Sequence, residues 1–149
     1  MERKTILVVD DEPGLIEILQ INLEYEGYQV IGASQGLDAL AKIRTENPAL
    51  VILDVMMPGM SGWQVLEQMS ADPQMAQIPV IMLTVLAEDM DIVRGLEKGA
   101  VEYITKPFNL THLVSTAKLL LENSDRRSQE ARRQRLMAER KRFMKPLHD

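Results

Sequence analysis

Five short apolar runs, each cut off by a polar or turn-forming residue and separated from the next by a stretch of helical period, constrain this chain more than any other feature. The runs are Thr5 to Val9, Tyr28 to Gly32, Leu50 to Leu53, Ile78 to Leu83 and Val101 to Thr105. Thr5 to Val9 is continuously apolar rather than alternating, which suits a strand buried on both faces, as in a parallel sheet. Between them, Leu15, Ile18, Leu19, Ile21 and Leu23 recur at helical spacing up to Gly27. The same spacing recurs over Gln35 to Arg44, over Trp63, Val65, Leu66 and Met69, over Glu88 to Lys98, and through Leu110, Leu113, Ala117 and Leu120. Ser61 and Asn109 stand where N-terminal caps are expected, and Gly27 and Gly99 where helices stop. Strands alternating with helices predict an α/β fold, a doubly wound parallel sheet covered on both sides through right-handed crossovers.

Composition narrows the class. Hydrophobic residues make up 46% of 149, enough for a real core and against a disordered chain. Cysteine is absent, which excludes disulfides and thiolate metal sites. The apolar runs are too short for a transmembrane segment, and Asp10 and Asp11 interrupt the one nearest the N-terminus, so a cytoplasmic protein is the expectation. Charge is divided unevenly. From Glu122 onward there are nine Lys/Arg against five Asp/Glu, whereas the preceding residues hold eight against seventeen, so an acidic body carries a basic tail.

The stretch LVILDVMMPGM, residues 50–60, carries the chemistry: a strand delivers Asp54 to its end and a Pro/Gly turn follows at once. Asp10 and Asp11 follow the first run, Thr84 ends the fourth and Lys106 follows the fifth. In a doubly wound sheet strands one, three, four and five are neighbours, so these groups meet in the crevice beyond the strand ends. Carboxylates without His or Cys suit a hard cation with oxygen ligands, Mg²⁺ in particular. Lys106 and Thr84 suit phosphoryl oxygens. Taken singly, Asp10 is a plausible helix cap, Thr84 a strand-end hydroxyl, Lys106 a surface charge and Tyr103 a half-buried core aromatic; their joint placement is what argues for phosphoryl transfer to a carboxylate. A phosphatase of the haloacid-dehalogenase type wants a second Asp two residues after the first, where this chain has Met56, and neither a Walker loop nor a G-x-G-x-x-G fingerprint is present.

Asp10-Asp11, Asp54 within LDVMMPGMSG, Thr84 after IML, Tyr103 and Lys106-Pro107-Phe108 recur in the order and spacing of a response-regulator receiver domain, which the chain resembles over roughly residues 4–121. The resemblance implies a flavodoxin-like sheet of order 2-1-3-4-5 and a two-component phosphorelay switch. It implies that Asp54 takes a phosphoryl group from a sensor histidine kinase or phosphotransfer protein. It further implies that Asp11, Asp54 and the backbone carbonyl of Met56 would bind Mg²⁺ with help from Asp10, that Lys106 would contact the phosphoryl group through a segment whose bond to Pro107 is usually cis in the family, and that Thr84 and Tyr103 would move as switch residues. Val85 stands where many members have a smaller residue, which implies slow dephosphorylation. GLEKGAVEYITKPF, residues 95–108, resembles the transcription-factor branch, which often pairs through helix four, strand five and helix five; Arg94, Lys98, Glu102 and Lys118 are candidates for such pairing in a homodimer.

Residues 1–121 therefore read as the receiver and 122–149 as a basic, helical C-terminal extension. The run Ser124 to Arg142 lacks Pro and Gly and could continue the last helix. Leu136, Met137, Phe143, Met144 and Leu147 give it only an intermittent apolar face, and 122–130 has no strongly apolar residue, which argues against a coiled-coil seam. A solvated helix, a self- or partner-docking helix, a dimer element and a segment binding nucleic acid or anionic membrane all fit. With no room for a winged-helix effector, direct DNA binding is not expected. The rival to a phospho-switch is a non-phosphorylated receiver-fold adaptor that binds through the tail.

Overall fold

The computed structural model describes residues 3–85, 89–123 and 125–143. Strands β1 (Thr5–Val9), β2 (Gln29–Ala33), β3 (Leu50–Asp54), β4 (Val80–Thr84) and β5 (Glu102–Thr105) alternate with helices α1 (Pro13–Tyr25), α2 (Gly36–Glu46), α3 (Gly62–Ala71), α4 (Asp89–Glu97) and α5 (Leu110–Glu122), and α6 (Arg126–Phe143) follows. All strand pairs are parallel, in the expected order β2-β1-β3-β4-β5. No helix among the described residues is long and apolar enough to cross a membrane.

The strands split their residues between two apolar layers, because successive side chains point to opposite faces. Leu7, Val9, Val51, Leu53, Val80 and Met82 join Leu40 and Ile43 of α2 and Val65, Leu66 and Met69 of α3. Ile6, Val8, Leu50, Ile52, Ile81 and Leu83 join Leu19 and Leu23 of α1 and Leu113, Ala117 and Leu120 of α5 on the other side. Both layers bury the central strands completely, which explains why those runs show no polar alternation.

Local signals behave as the sequence predicts at most ends. Ser61 forms a capping box with Gln64, and Asn109 accepts a hydrogen bond from the His112 N–H at 3.0 Å. Gly27 and Gly99 adopt positive φ, and Asn47 ends α2 in the left-handed region at φ 45°. The expected start of the fourth helix at Glu88 lies outside the described residues.

Two expectations need correction. Ile18 and Ile21 were expected on the buried face of α1, yet they are 50% and 61% exposed; Leu19 and Leu23 turn toward the sheet instead. The basic tail does not continue α5: that helix ends at Glu122, and α6 is a separate helix that lies against α4. Met144 and Leu147, expected on the tail's apolar face, lie outside the described residues.

Candidate functional site

The C-terminal ends of β1, β3 and β4 and the residue after β5 bring the predicted groups together. Parallel pairing sets their depth: Val9 lies opposite Leu53, Asp54 opposite Leu83 and Thr84 opposite Thr105. Asp10 follows β1 and is fully buried, while Asp54 closes β3 at 2% exposure. Such carboxylates persist in a core only when compensated. Lys106 supplies part of that compensation, with Nζ 2.8 Å from Asp10 Oδ2 and 3.5 Å from Asp54 Oδ1. The peptide bond from Lys106 to Pro107 is cis.

Backbone contacts hold the carboxylates in place. Asp10 Oδ1 accepts the Glu12 N–H at 2.9 Å, and Asp54 Oδ1 accepts the Met56 N–H at 3.2 Å. Helix α3 starts hard against the end of β3. A Cβ at Gly62 would stand 2.2 Å from the Asp54 carbonyl oxygen, so the close approach of the helix to the site strand requires glycine there.

Burial raises the Asp54 carboxyl to about 6, and the charge of Asp10 pushes the same way against the Met56 hydrogen bond and Lys106. For Lys106, burial works to lower its pKa, but the hydrogen bond and charge of Asp10, with Asp54 behind it, leave the ammonium raised above its usual value. Asp11 is exposed at the rim, and its carboxylate, with those of Asp10 and Glu12, presents oxygens within 4.8 Å of one another. Three aspartates against one lysine leave an excess of negative charge, and every donor is oxygen. That set fits a hard divalent cation such as Mg²⁺ and does not fit a thiolate- or imidazole-seeking metal.

Thr84 is buried at the end of β4, and its carbonyl accepts the Lys106 N–H at 2.8 Å. Tyr103 lies on β5, half-buried against the α2–α3 layer. Its hydroxyl accepts a hydrogen bond from Arg140 Nε of α6 at 2.5 Å. The Arg140–Tyr103 contact joins residues 37 apart and leaves no local pattern in the sequence, whereas Glu12 adjoins Asp10 and Asp11 directly. Of the residues considered for homodimer pairing, Glu102 is bonded to Arg132, Lys98 to Glu67 and Lys118 to Glu26 of the same chain, while Arg94 is exposed on α4.

A doubly wound sheet with acidic, lysine and threonine groups at neighbouring strand ends has the arrangement of a receiver fold, and comparison with known proteins shows the family. Residues 6–118 match the response regulator receiver domain family, and the chain belongs to that family. The alkaline phosphatase synthesis transcriptional regulatory protein PhoP of Bacillus subtilis is 46% identical over 122 residues, covering 82% of this chain and 50% of that protein. The DNA-binding response regulator MtrA of Mycolicibacterium smegmatis is 41% identical, covering 83% and 53%. Among solved structures, a response regulator of Chloroflexus aurantiacus superimposes with a TM-score of 0.75 at 33% identity, covering 81% of this chain and 99% of that one. The chemotaxis protein CheY4 of Vibrio cholerae gives 0.75 at 30%, covering 79% and 98%.

The chain spans about half the length of the curated relatives it matches. This overturns the expectation set against direct DNA binding. MtrA and RpaA of Synechocystis carry DNA-binding in their names, and the expectation rested on the room left within 149 residues, a length that does not bear on the question.

Proposed function

We propose that this receiver accepts a phosphoryl group on Asp54 from the phosphohistidine of a sensor kinase or phosphotransfer protein, in a Mg²⁺-dependent reaction, and thereby switches its outer surface. The observation that carries the reading is the buried convergence of Asp10, Asp54 and Lys106, with Nζ within 3.5 Å of both carboxylates. A carboxylate oxygen of Asp54 attacks phosphorus, the O–P bond forms as the N–P bond breaks, and the electron pair of that bond returns to the departing imidazole.

Lys106 meets the negative charge of the transferred group, and the Met56 N–H and α3 keep the Asp54 carboxylate oriented. Asp10, Asp11 and Asp54, with the Met56 carbonyl, would hold Mg²⁺, which neutralises the converging oxygens when bound. Thr84 and Tyr103 serve as the switch residues. The chain is a phosphoacceptor, assisting only its own phosphorylation and dephosphorylation, and is not an enzyme acting on other substrates.

A protein donor must reach this crevice, and α1, which begins beside Asp10, offers a surface for it. Ile18, Ile21 and Tyr25 are exposed there at helical spacing, Tyr25 by 89%, and an apolar patch rimmed by polar groups suits a protein partner. Residues 1–121 form the working unit, and 122–149 a regulatory extension that begins at the break after α5. A cytoplasmic location belongs to the same proposal. Likeness to transcriptional regulators supports an output at the level of transcription.

Intact-mass analysis after incubation with acetyl phosphate and Mg²⁺ tests the reading. Native protein gains one phosphoryl mass and Asp54→Asn gains none; a gain that persists in Asp54→Asn overturns the assignment.

A further inference from the structure

Helix α6 is held to the body of the receiver by its arginines rather than by a core. Arg132 bonds Glu102 on β5. Arg133 donates to the Gly99 carbonyl at 3.0 Å and the Ala100 carbonyl at 3.3 Å, where α4 turns into β5. Arg140 bonds the Tyr103 hydroxyl, with its guanidinium 4.8 Å from the ring centre. Lys141 lies 3.5 Å from Glu97 at the end of α4. Leu136 and Met137 are only half-buried, and Arg132 Nε is buried with no hydrogen-bond partner among the described residues. Docking of this kind has small apolar burial behind it and opens readily.

All of these anchors fall on one short path. Glu102 and Tyr103 are followed on the same strand by Ile104 and Thr105, and then by Lys106, whose ammonium reaches both site carboxylates. Lys106 is seated on Asp10 in the resting geometry. A phosphoryl group on Asp54 adds charge beyond that carboxylate and draws the ammonium outward from Asp10 toward the new oxygens. The pull acts on the end of β5, whose other residues hold α6 through contacts that tolerate little displacement.

The junction permits a second arrangement. Residues 123–125 contain neither Pro nor Gly, so nothing covalent prevents α5 from running on into α6. Asp125 caps the start of α6 as a separate helix, accepting the Ser128 N–H at 2.8 Å and its hydroxyl at 2.7 Å.

We propose that α6 is a reversible latch over the α4–β5 surface, closed by Arg132 on Glu102 and Arg140 on Tyr103, and that latch closure and phosphorylation of Asp54 oppose each other. The coupling rests on the phosphoacceptor reading above; the docking does not. Coupling between two sites is reciprocal, so a receiver with α6 undocked takes up phosphate more readily. The surface that α6 covers becomes available to a partner only in the phosphorylated form.

Hydrogen–deuterium exchange on the full chain, with intact mass measured on the same samples, separates the two. In Mg²⁺ buffer without phosphodonor, Arg132→Ala/Arg140→Ala is expected to raise exchange of amides in 126–143 and in the α4–β5 turn. Tyr103→Phe, which keeps the ring and removes only the hydroxyl, raises it less. Unchanged protection in both variants overturns the latch. With acetyl phosphate added, native protein that gains the phosphoryl mass is expected to show exchange in 126–143 about fivefold faster, the lower end of measured couplings, and the double variant to phosphorylate faster by a similar factor. Full phosphorylation with protection of 126–143 unchanged or increased overturns the coupling and leaves Asp54 as acceptor. No phosphoryl gain overturns the acceptor reading and the coupling with it, while the docking stands or falls on the variants alone.

Discussion

The candidate phosphoacceptor crevice and the α6 docking face are both built from charged side chains, and they are stabilised in opposite ways. At the crevice, Asp10 and Asp54 sit at the ends of fully buried strands, so two apolar layers decide where the charges stand. On the α6 face the charges themselves do the positioning, bonding carbonyls and a glutamate with half-buried apolar residues behind them. A rigid scaffold that forces carboxylates together stores unfavourable electrostatics that a bound cation relieves. A surface held by ion pairs stores little and moves easily. The first arrangement suits chemistry and the second suits a response to it.

Removing packing beneath the crevice gives the largest expected effect. Leu53 is fully buried and immediately precedes Asp54, so Leu53→Ala costs about 2–5 kcal/mol in chemical denaturation. A loss under about 1 kcal/mol would mean that the core does not hold the site as described.

The charge at Asp54 comes next. Burial, with Asp10, raises its carboxyl to about 6 from an ordinary value of 3.8. A raised carboxyl means that the ionised form burdens the fold above about pH 6, and that the burden is relieved as pH falls from about 6 towards 4. Asp54→Asn therefore stabilises the metal-free protein by about 2–3 kcal/mol near pH 7.5, and the advantage shrinks towards zero near pH 4. Adding Mg²⁺ stabilises the native protein more than the variant, which narrows the gap at neutral pH. An advantage of Asp54→Asn that is independent of pH would contradict the electrostatic cause.

Val85 follows Thr84 at the end of β4 and is 56% exposed. If its branched side chain shields an acyl phosphate on Asp54 from water, Val85→Ala is expected to shorten the lifetime of the phosphorylated protein severalfold, followed as loss of phosphoryl mass over time. The smallest effect falls on the α6 face. Arg132→Ala changes global stability by about 1 kcal/mol or less, because α6 opens locally before the sheet unfolds. A larger loss, on the scale of Leu53→Ala, would erase the contrast between the two regions.

The same contrast explains what the sequence could reveal. Asp10, Asp54, Thr84 and Lys106 were readable because each ends or follows an apolar run, and topology rules for parallel sheets turn those ends into neighbours. The docking of α6 was not readable. Its partners include the carbonyls of Gly99 and Ala100, which no side-chain pattern marks, and Leu136 and Met137 alone give too weak a periodicity to show which way the helix faces. Helix α1 misled for the reverse reason. Leu15, Ile16, Ile18, Leu19, Ile21 and Leu23 wrap around more than one face of the helix, and spacing alone could not show that the sheet takes Leu19 and Leu23 and leaves Ile18 and Ile21 to solvent.

The central claim is that Asp54 is the group that carries phosphate, and mapping the acyl phosphate tests it most directly. Borohydride reduces an aspartyl phosphate to homoserine, which tandem mass spectrometry locates in the chain. After treatment with acetyl phosphate and Mg²⁺, the account predicts homoserine at position 54 and nowhere else. Conversion at Asp10 or Asp11 instead, or phosphorylated protein with residue 54 unmodified, would contradict it.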